Sequence, residues 1–474
     1  MKAGKSTLMN AIMGEKILYT GFVETTYTVT WFKYGEKPKL KIVLRNDKNI
    51  EAPFCDLGKW TVRDYVKINP EINNVKYVII YYPSEILKTM ELIDTPGLFA
   101  TYGTDSKNSL DFLGLSQSSE SHKITAEEAA EADAIIYAFS RGVQGNDAEI
   151  MDALKGEHTS NSSPINALGV FTKTDVYWDC ARYPEKAPFQ VIGTALEGYK
   201  ANLKDKLYNI LPVIAKPVEA IADIDDCTFS ILQNLSSLDT NILLEFLADA
   251  SLFVTEPMDE DMPVPTKDRK HVLDCFGQYG IYLITEAIKN NVTKEDLYQY
   301  LYNASGIEKA TNLICQHFGN RAYLIKVDYV LRRLRSTTMK IKHNNGDNNH
   351  IVRICNRIVE DIDQLRDEEQ AFKELKILQD YYNEDIIFTD KKDEKEFLEI
   401  LGEYGSNCEA KLGFHSVESI KTLKTKALEK SNHWNALTND FGVSKGVDKA
   451  AEVIVRSCDN MYYYLDMLSG YDKD

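Results

Sequence analysis

The 474-residue sequence predicts an α/β domain, a mostly parallel sheet with helices on both faces, followed by an all-α helical stalk. Three observations carry that prediction. Short, apolar, β-branched runs alternate with amphipathic stretches through the first half, the pattern of strands buried on both faces and joined by helices. From Val272 onward the apolar residues recur at helical spacing instead. Between the two, Glu256 to Pro265 (EPMDEDMPVP) is acidic and proline-containing, and reads as a surface linker. The predicted division is an α/β core over 1–222, a helical extension over 223–325 and a helical stalk or bundle over 326–474.

The chain opens MKAGKSTLMNAIMG, and Met1 to Ser6 fit the last six positions of G-x-x-x-x-G-K-[ST]. In such a loop the backbone N–H groups, here those of Lys2, Ala3, Gly4, Lys5, Ser6 and Thr7, wrap phosphates. The lysine neutralises them, and the hydroxyl of Ser6 ligates Mg²⁺. A helix follows, with Leu8, Ala11 and Ile12 on its apolar face and Gly14 as its stop. The first glycine of the motif would stand two positions before Met1, together with the strand that feeds the loop. The expectation is a core that lacks its first strand.

The apolar run from Met90 delivers Asp94 to a strand end in Leu92-Ile93-Asp94-Thr95-Pro96-Gly97. There the carboxylate can hold Mg²⁺ through a water, and the Gly97 amide can sense a terminal phosphate. Taken alone, D-x-P-G is an ordinary turn. Ile165 to Phe171 leads into Thr172-Lys173-Thr174-Asp175. A carboxylate at Asp175 can accept two hydrogen bonds from the N1–H and N2–H₂ edge of guanine, a donor pair that adenine lacks, while the stem of Lys173 lies over the base plane. From Thr28 the segment Glu24 to Gly35 alternates like a strand, and Thr25 and Thr26 before it are candidates for a hydroxyl that completes the Mg²⁺ shell. Ala134 to Phe139 and Leu211 to Val218 are two further strand candidates.

The net charge of −17 argues against the general phosphate attraction behind non-specific nucleic-acid binding and against a broad grip on anionic lipid, which only a local basic patch could override. The eight cysteines are scattered without a C-x-x-C pair, which reads as reduced thiols. No apolar run is long enough to span a bilayer; the strongest, Ile242 to Val254, is interrupted by Glu245 and Asp249. The expected location is the cytoplasm. H-E-x-x-H and G-x-S-x-G do not occur, so no zinc or serine-hydrolase chemistry is expected.

In the helical half, Leu324, Val327, Leu331, Leu334 and Thr338 form one stripe, and His343 to Asn349 a turn. Ile351, Ile354, Ile358, Ile362, Leu365, Phe372 and Leu375 form a second stripe, the pair reading as an antiparallel hairpin of roughly 50 Å. Arg332, Arg333, Arg335, Lys340 and Lys342 make a basic cluster, read first as a solvated face, and otherwise as a contact to an acidic partner, lipid headgroups or the acidic run Glu360 to Glu369. A last amphipathic helix carries Ala450, Val453, Ile454, Cys458, Met461 and Leu465, and Tyr462 to Tyr464 read as packing residues.

On MKAGKSTLMNAIMGEKIL, ETTYTVTWFKYG, ELIDTPGLF, ADAIIYAFSRGVQGNDAEI and GVFTKTD the chain resembles the bacterial dynamin-like GTPases. The resemblance implies hydrolysis of GTP with Mg²⁺, a homodimer through the GTPase domains with nucleotide between them, a helical stalk, and work at a membrane surface. It makes Thr26 the switch threonine and assigns catalytic roles to Lys5, Thr26 and Gly97. It implies Mg²⁺ ligation by Ser6, Thr26 and Asp94, and nucleotide binding by residues 2–7, Thr172, Lys173 and Asp175. Glu24 departs from the proline usual before the switch. Lys2 stands where a monovalent cation's charge is supplied in some relatives. Two other readings remain: a GTP-controlled switch with a protein partner, and a non-hydrolysing helical scaffold, because the phosphate loop is incomplete.

Overall fold

The structure is a computed structural model that describes residues 3–20, 27–62, 64–65, 68–94, 134–140, 167–183, 186–203, 207–258, 262–346, 348–382, 385–438, 442 and 444–471. Helix α1 (Lys5–Met13) starts from Gly4 and stops at Gly14, both left-handed (φ 74° and 75°), with the Gly14 N–H closing on the Asn10 carbonyl. Only glycine takes these angles without strain, so the two glycines set the helix length.

Eight strands form two sheets among the described residues. The first runs β3 (Asn49–Pro53), β2 (Lys39–Leu44), β4 (Val75–Tyr82), β1 (Thr30–Tyr34), β5 (Leu92–Asp94), with β1 and β4 parallel and the other pairings antiparallel. The second, β6 (Ile135–Phe139), β7 (Ala167–Phe171) and β8 (Ile210–Pro212), is wholly parallel. Its two faces are both covered, as the near-continuous apolar sequence of its strands demands. Leu168 and Val170 enter the main core with Leu8, Ala11 and Ile12 of α1 and with Phe32, Ile80 and Leu92 of the first sheet. Phe171 points the other way, into a cluster with Phe139, Leu203 and Ile210, where Tyr199 stacks on it at 5.7 Å. Apolar side chains of α1 therefore share one core with both sheets.

Two readings of the core are corrected. The strand expected over Leu211–Val218 ends at Pro212, and α2 (Ala215–Ile221) follows. Pro217 is the third residue of that helix, where its missing N–H costs nothing because the first four N–H groups have no helical partner. The expected surface linker is exposed at Glu256, Pro257 and Met258, but Met262 and Val264 are buried in the main core, so the segment is pinned.

The C-terminal half is helical: α3 (Asp226–Ser236), α4 (Thr266–Lys289), α5 (Asn320–Asn344), α6 (Asn349–Glu368), α7 (Gln370–Tyr382), α8 (Ile420–Leu437) and α9 (Lys445–Tyr471) are its main elements. The α5–α6 hairpin is present, turned by Asn348, whose side chain accepts from the N–H groups of His350 and Ile351. Its second arm is shorter than expected. Glu369 is extended (ψ 124°), and Gln370 donates to the Val453 carbonyl and Ser457 Oγ of α9, both at 2.8 Å, so the chain turns there and α7 packs on α9. At 20 residues α6 is about 30 Å long, not 50.

The predicted stripes also shift. Leu334, Ile354 and Leu365 are 42–48% exposed, while Asp328, Thr338, Cys355 and Ile362 are buried. The seam is narrow and held by charge: Arg335 grips Asp363 with two bonds (2.8 and 3.1 Å), and the buried Asp328 pairs with Arg332 and, at 3.1 Å, with Arg366. Arg332 and Arg335 of the basic cluster are thus committed within the hairpin, Arg335 to the acidic run on α6. Arg333, Lys340 and Met339 remain exposed. On α9, Ala450, Ile454, Cys458 and Leu465 are buried as expected, but Tyr463 and Tyr464 are exposed (66% and 52%), which corrects their reading as packing residues.

One polar cluster joins the two halves. Tyr208, just ahead of β8 and fully buried, packs against Tyr382 at the end of α7 (ring centroids 5.2 Å apart). The Tyr382 hydroxyl donates to Glu403, and Glu403 pairs at 2.9 Å with Arg321 in the first turn of α5. Burial and the adjacent carboxylate push the Tyr382 hydroxyl far above the ordinary phenol range. Removing one partner of a buried ion pair leaves the other charge unsolvated, so Glu403→Ala should cost about 3–5 kcal/mol. Arg335→Ala, at a pair that is 40% and 44% exposed, should cost about 1 kcal/mol or less. Denaturant titration of both variants beside the parent checks the contrast; equal losses would refute it.

Candidate functional site

The N-terminus of α1 has no side-chain cap, so its first N–H groups point out of the helix with the positive end of its dipole behind them. Lys5, Ser6 and Thr7 form its first turn. Beside it, β5 ends at Asp94, held in place because Thr30 of β1 stands opposite it in the sheet. Asp94 is 1% exposed, and Ser6 Oγ donates to its Oδ2 at 3.0 Å. A hydroxyl and a carboxylate 88 positions apart thus meet where both can serve a hard cation.

The third station arrives from β7. The Thr172 N–H bonds to the Phe139 carbonyl at 2.8 Å, and its hydroxyl donates to the Ala3 carbonyl at 2.6 Å, which ties this turn to the loop before α1. A Cβ on Gly4 would lie 3.6 Å from Thr172 Oγ and 3.9 Å from Lys173 Cε, so the Lys173 stem runs beside the loop. Lys173 itself is left-handed (φ 57°), an uncommon state for a long side chain and one that collects at functional turns. Thr174 anchors the far side, its hydroxyl on the Phe171 carbonyl at 3.1 Å and its N–H on the Val213 carbonyl at 3.3 Å. Asp175 follows. Burial pushes its carboxyl above the usual carboxylate range, against the pull of its own N–H and of Lys216 and Lys173.

Lys216 is the functional candidate that sequence reasoning missed. It is close enough to act on Asp175, and its Nζ reaches the Leu273 carbonyl of α4 at 3.5 Å. The missed signal was Pro217, which argues against a continued strand and for a loop-to-helix junction next to the site. Behind the loop, the fully buried Asn10 organises the exit from α1. Its Oδ1 accepts from the N–H groups of Ile17 and Leu18, and its Nδ2 donates to the Leu18 carbonyl and, at 2.7 Å, to Glu219 of α2.

Of the residues singled out from sequence, Ala3, Gly4, Lys5, Ser6, Thr7, Asp94, Thr172, Lys173 and Asp175 fall into this one region. Lys2, Thr26 and Gly97 lie outside the described residues. Among the described residues no group of three His, Cys, Asp or Glu side chains could hold a metal. The oxygen donors Ser6 and Asp94 suit Mg²⁺, which takes few protein ligands and completes its shell with water and phosphate.

An uncapped helix N-terminus with a lysine and a hydroxyl in its first turn, an acidic strand end against it and a carboxylate-bearing turn beside it define a P-loop nucleotide-binding domain. Comparison with known proteins narrows the class. Residues 1–174 match the dynamin family, and over that stretch the chain is similar to bacterial dynamin-like proteins. It is 24% identical over 464 residues to the isoniazid-induced protein IniC of Mycobacterium tuberculosis, covering 97% of this chain and 88% of that one. Dynamin-like protein 2 of Campylobacter jejuni is 31% identical over 111 residues, 23% of this chain and 17% of its own length. A solved structure of an oligomerised bacterial dynamin pair aligns with 99% of this chain and 67% of its own at 16% identity, with a TM-score of 0.31, too loose a superposition to bear on the fold.

The environment of Asp175 has a measurable consequence. A carboxyl whose folded pKa is raised opposes folding at every pH above its unfolded pKa, and the penalty disappears as pH falls below it. Asp175→Asn should therefore raise the melting temperature of the nucleotide-free protein at pH 7, with the gain shrinking toward acid. Melting curves of both proteins between about pH 4 and pH 8 test this, since ordinary carboxylates titrate at the lower end; a gain that persists unchanged at the acid end would refute it.

Proposed function

We propose that the chain binds GTP with Mg²⁺ and hydrolyses it, and that hydrolysis is coupled to the helical half through contact between two GTPase domains. The observation that most supports this is the convergence, at the N-terminus of α1, of three separately encoded stations: Ser6 on Asp94, Thr172 on Ala3, and Asp175 beside Lys216. Bound Mg²⁺ would offset phosphate charge and help place the terminal phosphate. In this reading the helix N–H groups and Lys5 hold the β- and γ-phosphates, Ser6 and Asp94 hold the metal and its water, and Asp175 selects guanine. Lys173 lies along the base, and Lys216 keeps the Asp175 carboxylate ionised. Thr26 completes the metal shell, the Gly97 amide senses the γ-phosphate, and Lys2 adds charge near the bridging oxygen, a place a monovalent cation can also fill.

Leu98 and Phe99, next to Gly97, cannot polarise water, so an isolated copy is expected to turn over slowly. The family likeness supports pairing of GTPase domains, and a membrane surface as the place of action belongs to the same proposal. No helix among the described residues is long and apolar enough to cross a membrane.

Titration of a fluorescent GTP analogue with Mg²⁺ tests the binding step. Lys5→Ala should weaken it about 10- to 100-fold, the loss of one charge-assisted hydrogen bond. Asp175→Asn should shift preference from guanine to xanthine, because an amide presents one acceptor and one donor in place of two acceptors. Specific activity should rise with protein concentration. A rate per molecule that stays flat over a hundredfold dilution would remove the pairing step, and failure of GTP to outcompete ATP would remove the base assignment.

A further inference from the structure

Helix α4 is broken where it passes the base-reading turn. Gly277 lies in its middle with φ 72° and ψ 170°, a region open essentially to glycine alone, and it kinks the helix there. The break is not at a random point. A Cβ on Gly277 would come 3.7 Å from Asp175 Oδ2, so the backbone kink lies beside the carboxylate. There is space for that Cβ, and the demand for glycine comes from the backbone angles.

Both halves of α4 make contacts next to the same site. Before the break, the Leu273 carbonyl accepts from Lys216, the lysine that acts on Asp175. After it, Tyr279 and Tyr282 enclose Trp178, three residues beyond Asp175, at 5.3 Å (61°) and 5.2 Å (29°). Gly280 in the same half abuts Pro217, next to Lys216, so closely that a Cβ would sit 2.9 Å from the Pro217 ring. The first half continues outward to α3, where His271 meets Thr228 at 3.0 Å. A helix continuous through Gly277 would carry these two sets of contacts as one rigid unit, whereas the break lets them move separately.

We propose that α4, hinged at Gly277, forms the wall of the base pocket and reads its occupancy: a guanine bound at Asp175 shifts the half-helix that carries Tyr279 and Tyr282 against Trp178. Gly277 is then a positioning residue for base recognition. This rests on the guanine-nucleotide reading above and adds to it a route by which the base, as distinct from the phosphates, acts on the helical half.

The test uses the full chain, unlabelled GDP and inorganic pyrophosphate, each with Mg²⁺. Binding is measured by calorimetry, and Trp178 emission is isolated by subtracting the Trp178→Phe variant. GDP should change the Trp178 emission and pyrophosphate should not. Gly277→Ala should weaken GDP by about fivefold or more through backbone strain, leave pyrophosphate within about twofold, and remove the Trp178 response. The response with the hinge intact decides the matter if Gly277→Ala does not fold. GDP binding with no change at Trp178, or an equal change with pyrophosphate, overturns the hinge and leaves the nucleotide reading standing. Absence of GDP binding by calorimetry overturns both.

Discussion

The nucleotide half is organised by the N-terminus of α1, which carries no side-chain cap. A helix start without a side-chain cap leaves N–H groups that must find partners in solvent or ligand, and the surroundings are arranged to keep that end open. Gly4 adopts a left-handed turn, so no side chain covers it. Ser6 is turned onto Asp94 and Thr172 onto Ala3, so the polar groups nearest the opening satisfy each other at its rim. The rigid backing comes from apolar packing, with Leu8, Ala11 and Ile12 joining residues of both sheets in one core. That core gives the loop a fixed position that its own short sequence could not provide.

Connection to the helical half depends on a different kind of contact. Tyr208, Tyr382, Glu403 and Arg321 come from segments far apart in the chain, and their polar groups are buried together. A buried ion pair is a poor source of net stability compared with apolar side chains of the same volume. It is directional, however, and it fixes how α5 leaves the body of the protein through the geometry of one guanidinium. In the α5–α6 hairpin the same solution recurs, exposed where Arg335 meets Asp363 and on a buried carboxylate where Arg366 meets Asp328, and the two pairs set the register of two helices whose apolar seam is narrow.

These two styles of packing explain what was legible in the sequence. The strands around the site are dense apolar runs, and β1, β5, β6 and β7 fall where the alternation and the strand-end residues Asp94 and Thr172 put them. The site was legible for the same reason, since short polar motifs at strand ends are read locally. Elements settled by distant contacts were not legible. Nothing near Gln370 announces that its amide will bond to α9 and end a helix that propensity would continue. Leu334, Ile354 and Leu365 fit a heptad stripe yet stand exposed, because charged residues occupy the seam. Lys216 was hidden inside the apolar run Leu211 to Val218, whose strand ends at Pro212, before the lysine. The kink at Gly277 lies inside a helical pattern that gives no sign of it, apart from the glycine.

Asp175 shows why such a site resists being read as ordinary structure. Its carboxyl is held away from water strongly enough to disfavour its charge, although Lys216 and Lys173 pull the other way. Two more locally unfavourable features border it: the left-handed Lys173 on its own turn and the broken helix at Gly277 opposite. Lys173 lies two residues before Asp175, and a Cβ on Gly277 would come 3.7 Å from Asp175 Oδ2. In the proposed reading, guanine would bring two donors to that carboxylate and a flat face for the Lys173 stem. The clustering of these costs around Asp175 is a physical argument for a ligand there that is independent of the phosphate loop.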